Sequence, residues 1–478
     1  MFDFTLEEAI AVFDTQTTVV FLITLCSFFV PVLLLFPPVP IRISEALAQT
    51  HTKLGLEPGT TNLPLPQAGN KEKLKPASSS SAAKGGQGKT EGKADSGLPK
   101  IQSLFIYPIK SCRGIELSRA KVFRSGLQYD RLYTFARLKD DPAAAGGAAL
   151  AAADAKEGEG SEEPVWEFIT QRQFPRLANV AIDVWCPDPV KTRGKLTELG
   201  SDETFMIVRF PWSRPGLLGV VDNVAAKLSK GWHGYPEKEI LLPVNFPSEP
   251  EIAGRGYRYE KVRVWRDVMT GLNMEAEVPR DLAVYLGISE RLAVFRMSPT
   301  TSRKVYRNAP TEDEAGYQPT IRFQDSYPIH LMNLASVQDM ESKIQDPTLK
   351  DLSIRRFRAN VIISGLPAYD EDHWKAFCLK QGTASVSSDA SYHVSCRTSR
   401  CKLPNVDPSN GIPHPVEPDR YLRKHRNIDD GCPKNGCLGM MLTPLFSEQA
   451  GRVSLETWLE VGMEIDVTER GEHYFLRT

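Results

Sequence analysis

Six short segments between residues 100 and 265 share one composition. KIQSLFIYPI (100–109), RLYTFARL (131–138), WEFIT (166–170), NVAIDVW (179–185), TFMIVRF (204–210) and YEKVRVW (259–265) are all rich in β-branched and aromatic residues. Such side chains suit the pleated, half-buried surface of a strand. ANVIISG (359–365) continues the series, and MEIDVTERGEHYFLR (463–477) reads as a hairpin turning at Gly471. Helix signals are fewer. EVPRDLAVYLG (277–287) ends at a glycine, and NLASVQDMESKI (333–344) sets Leu334, Val337 and Met340 along one face. The pattern predicts a mostly β, α+β chain with a few helices and no internal repeat.

Three stretches lie outside that pattern. Residues 17–36, TTVVFLITLCSFFVPVLLLF, contain fifteen strongly apolar residues of 20 and no charge, which is the length a membrane-spanning helix needs. A signal peptide would begin with basic residues. Here Asp3, Glu7, Glu8 and Asp14 come first, and Arg42 is the first cation. Residues 1–40 therefore read as an uncleaved anchor spanning about 17–36. The lysines that follow place the rest of the chain in the cytosol by the positive-inside rule. PASSSSAAKGGQGKTEGKADSG, within residues 41–99, has little to bury and reads as a disordered linker. The alanine-rich stretch 139–164 reads as a disordered insertion between two strands.

A net charge of −1 gives no global attraction to nucleic acid. Eight cysteines in 478 residues are too few for a disulfide scaffold and fit a reducing compartment. The last four come in two pairs, Cys396 with Cys401 and Cys432 with Cys437. That spacing admits a structural zinc site. The surroundings of the first pair admit another reading. Arg397, Arg400 and Lys402 crowd it, and cations favour the thiolate, the form that binds metals. The same cations suit an anionic, phosphate-bearing ligand. VDPSNG (406–411) then closes a tight turn. Lys110, Ser111, Arg131 and Arg358 offer further donors for one anion.

YPIKSCRG (107–114) with GLQYDR (126–131), TQRQFPRLANV (170–180), FQDSYPIHLMNLAS (323–336), RRFRANVIISG (355–365) and SRCKLPNVDPSNG (399–411) follow in this order. The series resembles MOSC-domain proteins with an N-terminal MOSC β-barrel domain, and within them the mitochondrial amidoxime-reducing component group. The resemblance covers roughly residues 100–478. It implies an N-terminal β-barrel domain over 100–270 packed on a MOSC β-barrel domain over 271–478. It also implies a molybdenum cofactor, with Cys401 as the thiolate ligand of molybdenum and Cys396 as a bystander. By the same resemblance Lys110, Ser111, Arg131, Asp325, Ser326, Arg358, Ser399 and Arg400 hold the cofactor. Asp325 also lies beside the metal, where a carboxylate can relay protons. Two departures are Ala359 in place of the usual proline and Met441 where an aromatic residue is common.

The implied activity is reduction of amidoximes, hydroxylamines and N-oxides. No flavin or haem motif occurs in the sequence, so electrons would come from cytochrome b5 and its NADH-dependent flavin reductase. The implied location is the mitochondrial outer membrane in preference to the endoplasmic reticulum. Two alternatives share these motifs. One is a carrier of the cofactor without turnover. The other is a sulfur-transfer protein, which would normally carry a pyridoxal-phosphate domain upstream.

Overall fold

The protein is described by a computed structural model over residues 15–35, 42–64, 75–76, 99–139, 165–192, 203–232, 234–349, 352–380, 390–446, 448–449, 452–453 and 455–476. The expected linker lies outside the described residues at 65–74 and 77–98, the expected insertion at 140–164, and the expected anchor at 1–14 and 36–40. The chain divides into two compact units. One comprises Met1–Ala46 with Phe210–Glu239, the other Leu47–Arg209 with Ile240–Thr478.

The first unit contains two long helices. Thr15–Leu35 has 21 residues and includes Pro31, a residue that membrane helices tolerate. Its side chains are described for residues 16–31. Among the described residues no helix is long and apolar enough to cross a membrane; the expected span, 17–36, runs beyond them. Leu217–Lys230 is the second helix.

The second unit is mostly β. Arg258–Val264, Asp267–Asn273, Leu292–Arg296, Tyr133–Leu138 and Trp166–Phe168 form a closed barrel. Parallel pairing of Val262 with Trp166 completes the ring. Alternate side chains point inward along each strand. Trp166, Val262, Val264, Phe295 and Phe323 accordingly fill one apolar cluster.

A second sheet runs, in spatial order, Val361–Ser364, Ile329–Asn333, Cys437–Leu445, Ala390–Ser399, Trp374–Lys380, Glu464–Arg470, Lys100–Ile106 and Ile115–Leu117. Val361–Ser364 also pairs with Lys100–Ile106, with Val361 opposite Leu104, and so closes the first seven strands into a ring with Ile115–Leu117 outside it. The helix Leu334–Lys343 is capped by Asn333, whose side chain accepts from the Ala335 N–H. Val337 and Met340 pack into a cluster with Phe105, Tyr107, Phe357 and Ile362 beneath this sheet.

The expected C-terminal hairpin does not form. Glu464–Arg470 is a strand, but residues 471–476 are irregular. Their backbone groups bond elsewhere than in a ladder. The Gly471 N–H donates to the His373 carbonyl, Arg397 donates to the His473 carbonyl, and the Phe475 N–H donates to Asp429.

Candidate active site

Strand register brings the separated motifs to one end of the second sheet. Lys100–Ile106 and Val361–Ser364 are antiparallel, so the turn after the first lies beside the residues before the second. The Phe105 N–H donates to the Asn360 carbonyl at 2.8 Å, and Asn360 Nδ2 returns to the Phe105 carbonyl at 3.1 Å. Ile329–Asn333 runs parallel to Val361–Ser364 and antiparallel to Cys437–Leu445, with His330 opposite Met441. Ser399, the last residue of its strand, pairs with Cys437. Residues 107–112, 323–328, 357–360 and 399–401 therefore meet around one cavity.

That cavity has a volume of about 160 Å³, room for several waters at roughly 30 Å³ each. All nine expected site residues line it: Lys110, Ser111, Arg131, Asp325, Ser326, Arg358, Ser399, Arg400 and Cys401. Arg172 and Arg397 add two further cations, and Asp325 is the one carboxylate among the lining residues.

Each cation is held by the fold. Arg131 Nη1 donates to both carboxylate oxygens of the fully buried Asp130, at 2.7 and 2.8 Å. Its Nη2 donates to the Arg358 carbonyl at 3.2 Å. The Tyr107 ring lies 4.5 Å from the Arg131 guanidinium and 4.2 Å from that of Arg358. Cation–π attraction to a shared ring helps hold two like charges close together. Arg358 Nη1 donates to the Cys112 carbonyl at 2.7 Å. Burial pushes its pKa down to about 10, so it remains cationic at neutral pH. Ser111, Arg131 and Arg358 all have positive φ, at 67°, 47° and 57°. Non-glycine residues rarely adopt this conformation, and it clusters at functional sites.

Lys110 is almost enclosed. Its Nζ donates to the Phe323 carbonyl at 2.7 Å and to Asp325 Oδ1 at 2.5 Å. Burial lowers its pKa, and the Asp325 charge works against that shift. Trp265 Nε1 donates to the same carboxylate oxygen at 2.9 Å. Burial raises the Asp325 pKa, but the Lys110 charge and hydrogen bond, Trp265 and Arg131 together hold it well below the usual carboxylate range. Its side chain is 57% open to solvent, which also favours the ionised form. Asp325 is thus an ionised acceptor at neutral pH.

At the cavity base Arg400 Nη2 donates to the Phe357 carbonyl at 3.0 Å, and Nη1 lies 3.4 Å from His330 Nε2. Burial, then the Arg400 and Arg131 charges, lower the His330 pKa well below its ordinary value. The ring is neutral, with Nε2 as acceptor. Gly439 has φ +81°, and a Cβ there would stand 2.7 Å from that nitrogen. Only glycine allows the approach.

The two thiols of the 396–401 pair differ. Cys401 is exposed and lines the cavity. Cys396 is buried against Val305, Ile321 and Tyr327, and burial pushes its thiol up to about 12. Cys432 and Cys437 are buried with sulfurs 3.5 Å apart. Among the described residues no group of three or more His, Cys, Asp or Glu side chains is arranged to hold a metal ion. Asp407 shapes the turn after Cys401. It accepts from the Ser409 N–H and hydroxyl at 2.8 and 2.6 Å and from Arg356 at 2.7 Å.

Sequence reasoning left Trp265, His330, Tyr107, Asn360 and Arg172 without a role, although the last four stand in quoted motifs; it placed Arg397 only among the cations around the Cys396 and Cys401 pair. Trp265 closes the turn between two barrel strands at φ 58°. The end of an alternating run was its only mark in the sequence.

Residues 98–208 match the MOSC N-terminal beta barrel domain, and residues 318–466 match the MOSC domain. The chain is a two-domain MOSC protein. It is homologous to proteins named mitochondrial amidoxime reducing component. Component 2 of Rattus norvegicus is 25% identical over 337 residues, covering 69% of this chain and 73% of that protein. Component 1 of Mus musculus is 24% identical over 332 residues, 69% and 72% of the two chains. Component 1 of Homo sapiens is 23% identical over 336 residues, again 69% and 72%. Both matched segments of the MOSC chain contribute to the cavity: Lys110, Ser111 and Arg131 from the first, Asp325 to Cys401 from the second.

The lining fits an anionic pterin cofactor on its own chemistry. Six cationic residues and one carboxylate line the cavity, with Arg131 paired to Asp130 and Arg397 to Asp429 and Glu472 behind the lining. Among the described residues Arg358 Nη2 and Arg400 Nε have no hydrogen-bond partner although both are buried. Buried guanidinium N–H groups without partners are costly, and anionic oxygens would satisfy them. Cys401 offers the soft donor that molybdenum favours.

Proposed function

We propose that this MOSC protein is a molybdenum-cofactor reductase of N-hydroxylated compounds such as amidoximes, hydroxylamines and N-oxides. One observation carries the proposal: an exposed thiol, Cys401, shares a cavity with six cations and a single carboxylate. Lys110, Ser111, Arg131, Arg358 and Arg400, with Ser326 and Ser399, would hold the cofactor's phosphate and ring, and Cys401 would ligate the metal. The bound cofactor would supply the two-electron reduction. For an amidoxime, the N–O bond breaks, and with two electrons and two protons the products are an amidine and water. Asp325 is an ionised acceptor at the cavity opening. There it would accept a hydrogen bond from the substrate's hydroxyl or amino group and orient the N–O bond, while Lys110 fixes the carboxylate in place.

The electron donor would be cytochrome b5 with its NADH-dependent flavin reductase. The apolar run 17–36 would anchor the chain in the mitochondrial outer membrane, with the two MOSC domains in the cytosol. Shared membrane location raises the effective concentration of donor and acceptor.

The test has two steps. Molybdenum and pterin are measured on the purified chain, and benzamidoxime reduction is then assayed with an artificial electron donor. Metal, pterin and turnover together support the proposal. Bound cofactor without turnover would make the protein a carrier, and a chain without pterin would refute both.

A further inference from the structure

The helix Leu217–Lys230 is amphipathic with its faces reversed. At 100° per residue, Leu217, Val221, Val224 and Leu228 share one face. In a water-soluble domain that face would pack inward. Here those four residues are 49% to 86% exposed, while Gly219 and Ala226 on the opposite face are buried. The inward face is held by its own flanking loops. Arg214 donates through Nε and Nη2 to Asp222 at 2.9 and 2.6 Å, and Gly234 packs against the Ala226 carbonyl. The helix is fixed with its apolar side outward.

The rim of this face has a definite character. Trp232, just past the helix end, is 80% exposed, and Lys227 Nζ lies 5.1 Å from its ring centre. Arg214, Lys227 and Lys230 outnumber the one anion of the helix, Asp222. Outward apolar side chains, an end tryptophan and flanking cations are the features of a helix lying in a lipid headgroup layer.

Connections within the same unit hold this helix near the end of the apolar one. Ser44 follows Leu35 by nine residues, a reach of at most about 30 Å. The Ser44 N–H and hydroxyl donate to Glu239 at 3.0 and 2.7 Å. Two residues earlier on the same strand, Glu237 accepts from Lys230 at 2.5 Å. Lys230 is the last residue of the reversed helix.

We propose that residues 217–232 form a second membrane contact, a helix lying on the lipid surface beside the anchor. The proposal rests on the membrane-anchored reading above. Leu217, Val221, Val224 and Leu228 enter the acyl boundary, and Trp232 and the lysines sit at the headgroups.

The experiment uses the full chain in vesicles of phosphatidylcholine and phosphatidylserine, with and without bromine on the acyl chains. The chain has seven tryptophans, none before residue 166, so quenching by bromolipid does not report on the anchor. Flotation of the vesicles shows whether the chain is anchored. We expect bromolipid to quench a component of roughly one seventh of the emission, from a tryptophan at interface depth, and that component to vanish in Trp232→Phe. Val221→Asp with Leu228→Asp, both on the outward face, should abolish the same component with Trp232 intact. A chain that floats while wild type and Trp232→Phe are quenched alike overturns the surface helix and leaves the anchor standing. This includes the case in which a second copy of the chain covers the face. A chain that does not float overturns the anchor, and the inference with it.

Discussion

Cys396→Ala and Cys401→Ala should separate stability from chemistry in opposite directions. Cys396 has no exposed surface and packs among Val305, Ile321 and Tyr327. Removing its sulfur leaves a void of about methyl size, which costs about 1–2 kcal/mol by analogy with other single-group core deletions. In a large domain that lowers Tm by about 2–4 °C. Cys401 is exposed, so its truncation should stay within about 0.5 kcal/mol of wild type. Activity should show the reverse. Cys396→Ala keeps most of its reductase activity. Cys401→Ala loses more than about 100-fold, because losing a metal ligand exceeds the 10–100-fold cost of losing a supporting residue. The assays are thermal unfolding, benzamidoxime turnover, and peptide mapping after iodoacetamide treatment of native protein. Alkylation should reach Cys401 in cofactor-free chain, be blocked there when cofactor is bound, and spare Cys396 in both. An inactive Cys396→Ala beside an active Cys401→Ala would refute the assignment of the ligand.

Arg358→Glu should lose pterin and activity together, because it places a carboxylate near the buried Asp130 and removes a cation from the cavity lining; retained pterin on extraction would show that the cofactor does not contact this wall. Asp325 is ionised across the neutral range, since Lys110, Trp265 and Arg131 hold its pKa low. The wild-type pH–rate profile between pH 5 and 8 should therefore contain no limb that Asp325→Asn removes, and the variant should change amplitude alone. Disappearance of such a limb would mean the carboxyl titrates there. Glu371 is fully buried, with Ser336 Oγ donating at 2.7 Å and Asn333 Nδ2 at 3.0 Å. Burial, then the Asp372 charge, raises its pKa from 4.5 to about 7. A raised folded-state pKa gives stability that is complete below pH 4.5 and lost as pH rises through about 7. Glu371→Gln should flatten that decline and gain up to about 3 kcal/mol at pH 8; parallel denaturation curves against pH in both proteins would contradict it.

The strands most legible in the sequence were those that bury apolar side chains in a cluster. Lys100–Ile106, Tyr133–Leu138, Ala181–Pro187, Phe205–Pro211 and Arg258–Val264 all fall on segments picked out by composition. The helix at Leu334–Lys343 followed from its three-residue apolar spacing. Strand signals failed at 471–476, where side chains from Arg397 and Asp429 take the backbone groups that a ladder would use. The helix Leu217–Lys230 was missed altogether. Its apolar stripe is plain in periodicity, but three glycines and a proline stand close around it, and nothing local says that the stripe faces outward. At the site, motif order pointed to all nine expected residues. Their convergence depends on strand pairings such as Val361 with Leu104 and Ser399 with Cys437, which lie 257 and 38 residues apart. Tyr107 between two guanidiniums and neutral His330 beside Arg400 depend on the same pairings. No local sequence pattern encodes them.

The central claim is that Cys401 ligates molybdenum within this cavity. X-ray absorption at the molybdenum edge counts sulfur neighbours directly, on loaded wild-type protein and on Cys401→Ser loaded in the same way. One fewer sulfur in the variant's first shell, with the pterin sulfurs retained, is the predicted result. An unchanged sulfur count with full molybdenum occupancy would contradict it.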